Sequence, residues 1–230
     1  GLDITSGIQN YPDARFALIT PAHQSPLGVA LSLARRHQIL EWADRSQAWI
    51  IEDDYDSEFR YHGKPLPALK SLDAPQRVIY AGTFSKALFP ALRCAWLVLP
   101  VKQIAQFRHQ ASLAPCAVPV LWQNTLADFL REGHFWRHLK KMRQHYAQRR
   151  QWIEQALTQQ GFQVVPQKGG IQMVIRMIGD DIAHARKANA AGLAVQALSD
   201  WRIRSSGEGG LLLSFTNIVN EGMARQVAQQ

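Results

Sequence analysis

The sequence predicts an α/β protein: a parallel-rich sheet covered by helices, then a smaller α+β unit, with a long helix joining the two. Three observations carry this. Short apolar runs alternate with helical patterns from Phe16 to Pro100, the order that builds a parallel sheet. A long amphipathic pattern then runs from Val118 to about Gln160, interrupted near Gly133. Beyond it lie short strand-like runs separated by one helical stretch.

Taken in order, Phe16–Thr20 reads as a strand that Pro21 ends. His23-Gln24-Ser25-Pro26-Leu27-Gly28 reads as a turn, and Ser32 as the N-cap of a helix whose apolar face is Leu33, Ile39, Leu40 and Trp42. Ala48–Ile51 is a second strand running straight into Glu52-Asp53-Asp54-Tyr55-Asp56. Val78–Ala81 and Cys94–Leu99, the latter closed by Pro100, read as two more buried strands. Val101 to about Ser112 reads as a short helix, and Val118 to about Gln160 as one or two long ones ended by Gly161. Phe162–Pro166 and Gly170–Arg176 read as paired strands, Ala183–Leu198 as a helix, and Leu211–Phe215 as a last strand.

Composition bounds the function. The chain has 230 residues, 47% of them hydrophobic, enough for a sizeable core in one or two domains. Cys94 and Cys116 form no C-x-x-C pair and read as free thiols of a reducing, cytoplasmic setting. Residues 1–20 carry polar and charged residues throughout, so no signal peptide is read, and no apolar run approaches the ~20 residues that span a bilayer. The formal charge of +8 suits an anionic partner. Much of it lies between Arg137 and Arg150, where Arg137, Lys140, Lys141, Arg143, Arg149 and Arg150 share a helical pattern with Phe135, Trp136, Leu139, Met142, Tyr146 and Ile153. That pattern is read as the solvated side of an amphipathic helix rather than a phosphate-facing one. His134 and His138 have the i,i+4 spacing of zinc ligands, but no third ligand accompanies them, and no metal site is expected.

Chemistry concentrates in two places. One is Gly82-Thr83-Phe84-Ser85-Lys86-Ala87-Leu88-Phe89-Pro90-Ala91-Leu92-Arg93, a small-residue turn between two apolar runs. A lysine desolvated there becomes an amine nucleophile fit for Schiff-base chemistry. Thr83 and Ser85 supply hydroxyls, and Arg93 a permanent cation, for a phosphate. A lysine at a strand end, pointing into water, is the competing reading. The other place is the acidic run, whose carboxylates repel one another at a strand end unless a cation is near. In open α/β sheets, ligands sit beyond the carboxyl ends of the strands. Pyridoxal phosphate needs an acid at its ring nitrogen, a donor near its phenolic oxygen and a lysine for its aldehyde; Asp53, Tyr55 and Lys86 fit those needs. A solvated loop or a metal cluster are the alternatives for the acidic run, although no further ligands at metal spacing are evident.

The segments TPAHQSPLGVALS, IIEDDYDSEFRY and YAGTFSKALFPALR, in this order and spacing, resemble fold-type I pyridoxal-phosphate enzymes of the aminotransferase kind. They are most similar to the aminotransferase-like domain of the MocR subfamily of GntR-type bacterial transcription regulators, and the resemblance runs through all 230 residues. It implies a partial three-layer large domain over residues 1–115, linking helices over 116–160 and a small C-terminal domain over 161–230. The N-terminal part of the large domain and a winged helix-turn-helix domain would precede residue 1. By the family pattern, Lys86 would bond the cofactor, Asp53 would pair with the pyridine nitrogen and Tyr55 would approach the phenolic oxygen. Thr83, Ser85 and Arg93 would hold the phosphate.

Two departures bear on function. Ser25 stands where aminotransferases carry the asparagine of N-P-x-G, whose amide reaches the phenolic oxygen. Leu212 stands where the L-R-L-S-F strand carries the arginine that grips a substrate carboxylate, with Arg202 and Arg204 the nearby cations. The implied function is a pyridoxal-phosphate-binding, effector-sensing domain of a DNA-binding regulator, which takes an amino-acid-like effector or the cofactor itself, acts as a homodimer and meets DNA only through the absent N-terminal domain. The alternative is a catalytic aminotransferase of the 2-aminoadipate or aromatic type. The D-Y-D-S-E-F-R-Y form of the acidic run and the missing arginine favour the regulator.

Overall fold

The computed structural model describes residues 1–114, 118–203 and 207–230. The chain divides into two compact units. The first comprises Gly1–Gln24, Val29–Glu58 and Lys64–Leu139; the second comprises Ser25–Gly28, Phe59–Gly63 and Lys140–Gln230. Cys116 and Arg204 lie outside the described residues; Cys94 is a buried free thiol.

The first unit is built on a four-stranded sheet, β1 (Phe16–Ile19), β2 (Trp49–Asp54), β3 (Val78–Thr83) and β4 (Ala95–Val98), in that spatial order. The first three strands are parallel and β4 is antiparallel. Helix α1 (Ile4–Asn10) is capped by Asp3, and α2 (Leu33–Arg45) by the expected Ser32, whose hydroxyl accepts from Arg35 N. Ile39, Leu40, Trp42 and Ala43 of α2 join Ile4, Ile19, Ile50 and Val78 in one buried cluster. Leu33, expected on that face, is exposed.

The sheet's alternation decides which strand residues see that core. Register places Phe16 beside Trp49, Leu18 beside Ile51 and Ile79, and Ala81 beside Leu97 on the other face. Phe16 and Leu18 are exposed there. The run Cys94–Leu99, expected to be buried, is not: Leu97 is 52% exposed and Val98 46%. Leu97 lies on the face that carries Phe16 and Leu18, and β4 pairs with β3 alone among the described residues.

A 3-10 turn over Val101–Gln103 leads into α3 (Ile104–Leu113), followed by α4 (Val120–Arg131) and α5 (His134–Gln159), with Gly133 between the last two at a left-handed φ of 75°. Phe135 and Leu139 are buried, while Trp136, expected on the apolar side, is exposed. Arg137, Lys140, Lys141 and Arg143 are solvated as expected, but Arg150 is only 6% exposed. Its Nε donates to Glu154 Oε1 at 2.7 Å and its guanidinium lies over the Tyr61 ring, so the basic stripe ends one turn before Ile153 enters the core.

The second unit holds β5 (Gln163–Val164), β6 (Gln172–Met177), α6 (Asp181–Ala190), β7 (Val195–Ala197), β8 (Gly209–Ser214) and α7 (Glu221–Gln229). Its sheet is antiparallel in the order β5-β6-β8-β7. Ile153, Leu157, Met173, Leu213, Phe215 and Ala224 meet in its core. The helix expected through Leu198 stops at Ala190. Asn189 is the cause: its Oδ1 accepts from Val195 N at 2.9 Å and its Nδ2 donates to Val195 O at 3.0 Å. That clasp folds the chain back around Gly192 (φ 92°) into β7. Among the described residues no helix is long and apolar enough to cross a membrane, and no His, Cys, Asp and Glu group could hold a metal ion.

Candidate functional site

Strand β2 extends through Asp54, so three of the acidic residues belong to the sheet and only Asp56 to the loop beyond. The structure separates the carboxylates by giving them different partners. Glu52 is 1% exposed and accepts from Leu69 N and Lys70 N, both at 2.7 Å, which fixes the 3-10 turn Leu69–Leu72. Burial pushes its carboxyl up, and those two N–H groups oppose the rise. Asp54 accepts from Ser57 N at 3.3 Å, Ser57 Oγ at 2.8 Å and the Tyr80 hydroxyl at 2.8 Å. Asp56, 3% exposed, faces His23 Nδ1 at 3.1 Å. Burial raises its carboxyl most, and the hydrogen bond and charge of His23, together with the charge of Lys86, pull it back.

Asp53 is different. It is half-buried, and among the described residues no side-chain hydrogen bond or ion pair engages its carboxylate. Burial is the first cause holding its carboxyl above the ordinary range, and the charges of Asp54 and Asp56 add to it. Such a carboxylate favours a proton or a positively charged donor.

The lysine turn follows β3. Thr83 Oγ1 accepts from Ser85 N at 3.1 Å, Phe84 N donates to Cys94 O at 3.1 Å, and Leu88 N donates to Phe84 O at 2.8 Å. From α5, the His138 ring nitrogen Nε2 donates to Ala87 O at 2.9 Å. Phe84 and Ala87 are buried and pin the turn, leaving Lys86 exposed between them. Of the two sequence readings of this lysine, the desolvated one is therefore not what the structure shows. Gly82 belongs here for a steric reason: a Cβ on it would lie 2.3 Å from the Trp96 ring, so the indole covers β3 only because that position has no side chain.

Topology brings five expected residues together. Asp53 pairs with Ala81, and Thr83, two residues on, shares its face of the sheet. Tyr55 follows β2; Ser85 and Lys86 follow β3. All five thus lie at the carboxyl ends of adjacent parallel strands. Because β4 is antiparallel, with Thr83 beside Ala95, Arg93 enters at the same end. It is exposed and caps the 3-10 turn Pro90–Leu92 in the left-handed region, φ 50°. Ser25 belongs with Pro26–Gly28 to the second unit.

Sequence reasoning did not single out His23, Tyr80 or His138 as parts of this end of the sheet. His23 was read only as a turn residue, and no spacing signal ties it to residues thirty positions on. The Tyr55 hydroxyl donates to His23 O at 3.1 Å and lies 3.3 Å from His23 Nδ1. Leu212 is 2% exposed and packs with Val174 and Leu198 in the second unit, so no polar group occupies that strand position. Arg202 is half-buried and donates to Glu208 O within its own loop.

The arrangement fits pyridoxal phosphate. It offers one carboxylate short of a cation, a phenol, an exposed amine, and hydroxyls with a guanidinium, all at one sheet end.

Comparison with known proteins bears on the fold and its family. The family described as aminotransferase class I and II matches residues 3–207. The rhizopine catabolism regulatory protein MocR of Rhizobium meliloti, described as probable, is 37% identical over 213 residues, 90% of this chain and 43% of that protein. The pyridoxine biosynthesis transcriptional regulator PdxR of Corynebacterium glutamicum is 33% identical over 88% of this chain and 45% of its own length. The crystal structure of Pyrococcus horikoshii kynurenine aminotransferase in complex with PMP superposes with a TM-score of 0.86 at 24% identity, over the whole of this chain and 59% of that one. The chain thus spans less than half the length of those two regulators.

Proposed function

The chain belongs to the class I and II aminotransferase family, and on that premise we propose that it is the pyridoxal-phosphate-binding, effector-sensing domain of a DNA-binding transcription regulator. The observation that carries the proposal is Asp53, a part-buried carboxylate held above its usual range and engaged by no described side chain. A protonated ring nitrogen is the partner it lacks.

Bound pyridoxal phosphate would supply an aldehyde and an electron-withdrawing ring. The chain's own residues bind and orient it. Lys86 offers the amine, and its exposure gives the aldehyde access. Asp53 keeps a proton at the ring nitrogen, and Tyr55 donates toward the phenolic oxygen. Thr83, Ser85 and Arg93 take the phosphate. In this reading residues 1–115 belong to the large domain, 116–160 link, and 161–230 form the small domain of a cytoplasmic homodimer.

The names of the relatives favour a regulator whose DNA-binding domain lies elsewhere in the protein. Leu212 favours it too, since an amino acid's carboxylate finds no arginine there. A catalytic aminotransferase is the second reading, supported by the retained Asp53, Tyr55 and Lys86 set.

The test is borohydride reduction of the intact protein with pyridoxal phosphate, followed by peptide mapping. We expect a visible absorption band and covalent label on Lys86, with both lost in Lys86→Ala. Persistence of the same band and the same labelled peptide in that variant would overturn the assignment.

A further inference from the structure

We propose that His23, braced by Asp56, is the positioning residue for Tyr55, and that it leaves the phenol's one hydrogen available to a ligand acceptor at the end of β2. The inference rests on the reading above only for the identity of that acceptor, the phenolic oxygen of pyridoxal phosphate.

The contacts at His23 Nδ1 support the assignment. A phenol has one hydrogen, and Tyr55 donates it to the His23 backbone oxygen at 3.1 Å. The same phenol oxygen lies 3.3 Å from His23 Nδ1, so the hydrogen of that contact must be on Nδ1. That nitrogen also faces Asp56 Oδ2 at 3.1 Å, and a carboxylate can only accept. One Nδ1–H therefore sits between two acceptors, which fixes the ring plane. His23 Nε2 is buried and meets no hydrogen-bond partner among the described residues, so nothing on that side competes for the ring's orientation.

The consequence is an exchangeable phenol. The Tyr55 oxygen is held from one side by Nδ1–H, while its own hydrogen rests on a neutral carbonyl. An anionic oxygen is a stronger acceptor than that carbonyl. A ligand presenting one draws the hydrogen across while the His23 contact keeps the phenol in place. Asp56 then holds the imidazole rather than touching the ligand, which explains a deeply buried carboxylate one residue from the phenol.

The experiment uses the intact protein. In the cofactor-free state, ¹⁵N spectra of labelled imidazole should show His23 with hydrogen on Nδ1. The opposite tautomer would overturn the proposal. The Tyr55 ¹³Cζ resonance should shift in His23→Leu and return in His23→Asn, whose amide places an N–H near the Nδ1 position. No shift in the leucine variant, or no return in the asparagine one, overturns it.

The dissociation constant for pyridoxal phosphate, read by fluorescence quenching, should rise about tenfold in His23→Leu, roughly what one lost hydrogen bond gives, and change little in His23→Asn. Tyr55→Phe should cost the same, and the double variant His23→Leu/Tyr55→Phe no more than either alone. Losses that multiply would show two independent roles. Failure of the wild type to take up pyridoxal phosphate would sink the cofactor reading, while the tautomer and Tyr55 resonances would still decide the His23 assignment.

Discussion

The Tyr80 hydroxyl donates to Asp54 Oδ2 at 2.8 Å, joining the end of β3 to the end of β2. The tyrosine's hydroxyl is pushed well above its usual range, first by burial and then by that bond, so the phenol stays a donor at any physiological pH. With Ser57 on the same carboxylate, Asp54 is part of the frame, and its neighbour Asp53 is not. Two adjacent aspartates thus have separable roles, and substitution should separate them. Asp53→Ala in the intact protein should weaken pyridoxal phosphate binding by tenfold or more, since a charge-assisted hydrogen bond contributes roughly 1.5–3 kcal/mol. Asp54→Ala should cost less affinity and more melting temperature. A titration and a thermal melt on each variant check both halves; equal affinity losses would overturn the residue assignment.

The same unpaired carboxylate gives a pH signature without cofactor. The folded protein holds the Asp53 carboxyl above its unfolded value. Between those two values the folded state binds more protons, so stability falls as pH rises through the window, and the cost is fully present above it. Asp53→Asn removes the group, so at neutral pH the cofactor-free variant should melt higher than wild type. The gap should close as pH falls below the ordinary aspartate range. A variant melting lower at neutral pH would show that the charge has a partner.

Glu52 carries the opposite expectation. It is 1% exposed and satisfies two backbone N–H groups. Glu52→Ala would leave one buried and one part-buried donor unpaired, at about 1–3 kcal/mol each. Denaturant unfolding should show a loss in the range of about 2–6 kcal/mol, while Glu52→Gln, which keeps one acceptor, should lose less. A neutral Glu52→Ala would mean that water replaces the carboxylate.

These contrasts mark what the sequence could say. The apolar runs and the Ser32 cap predicted β1, α2, β2 and β3, because burial on one face writes a period into the residues. The same logic failed at β4, where Leu97 and Val98 are apolar yet exposed, since a sequence does not state which face is covered. It overran α6, where the Asn189 clasp on Val195 is a side-chain bond invisible to periodicity. At the site, the residue types in the acidic run pointed to a ligand. Which carboxylate is left over depends on Leu69, Lys70, Ser57, Tyr80 and His23, which converge only after folding. Lys86 follows β3 as its motif suggests, and its exposure follows from Phe84 and Ala87 turning inward.

In the proposed reading, the burial of Leu212 adds to what its residue type says about sensor and enzyme. It is 2% exposed against Val174 and Leu198. Leu212→Arg should therefore not restore a carboxylate anchor, because it buries an unpaired cation in an apolar cluster. The loss should exceed about 3 kcal/mol, in the severe tail of single substitutions. Intact wild-type protein should convert an amino acid and a 2-oxo acid slowly or not at all, as orientation is worth several kcal/mol of barrier. Brisk transamination by the wild type, or a well-folded Leu212→Arg variant that gains it, would favour the enzyme reading.

The formal charge of +8 invites a direct role in DNA binding, and the basic residues of α5 are where it would lie. Arg137, Lys140, Lys141 and Arg143 are exposed, so they can meet phosphates. Phosphate contacts supply affinity without reading bases, and base readout needs an element that enters a groove. Arg149 donates to Thr216 O and Arg150 to Glu154, which withdraws the end of the stripe into the second unit's own structure. Binding through this chain should therefore be weak, steeply dependent on salt and indifferent to sequence. Charge reversal at Lys140 and Lys141 in the intact protein should lower non-specific affinity and its salt slope while leaving discrimination between the gene's upstream region and random DNA unchanged. Pyridoxal phosphate or an amino-acid-like effector should shift the specific affinity, because a ligand that favours one arrangement of the protein must change the other site's binding by the same factor. Anisotropy titrations at physiological salt, with and without ligand, measure each term. Loss of sequence discrimination on charge reversal would place DNA reading in this chain, and specific binding blind to every ligand would remove the sensor.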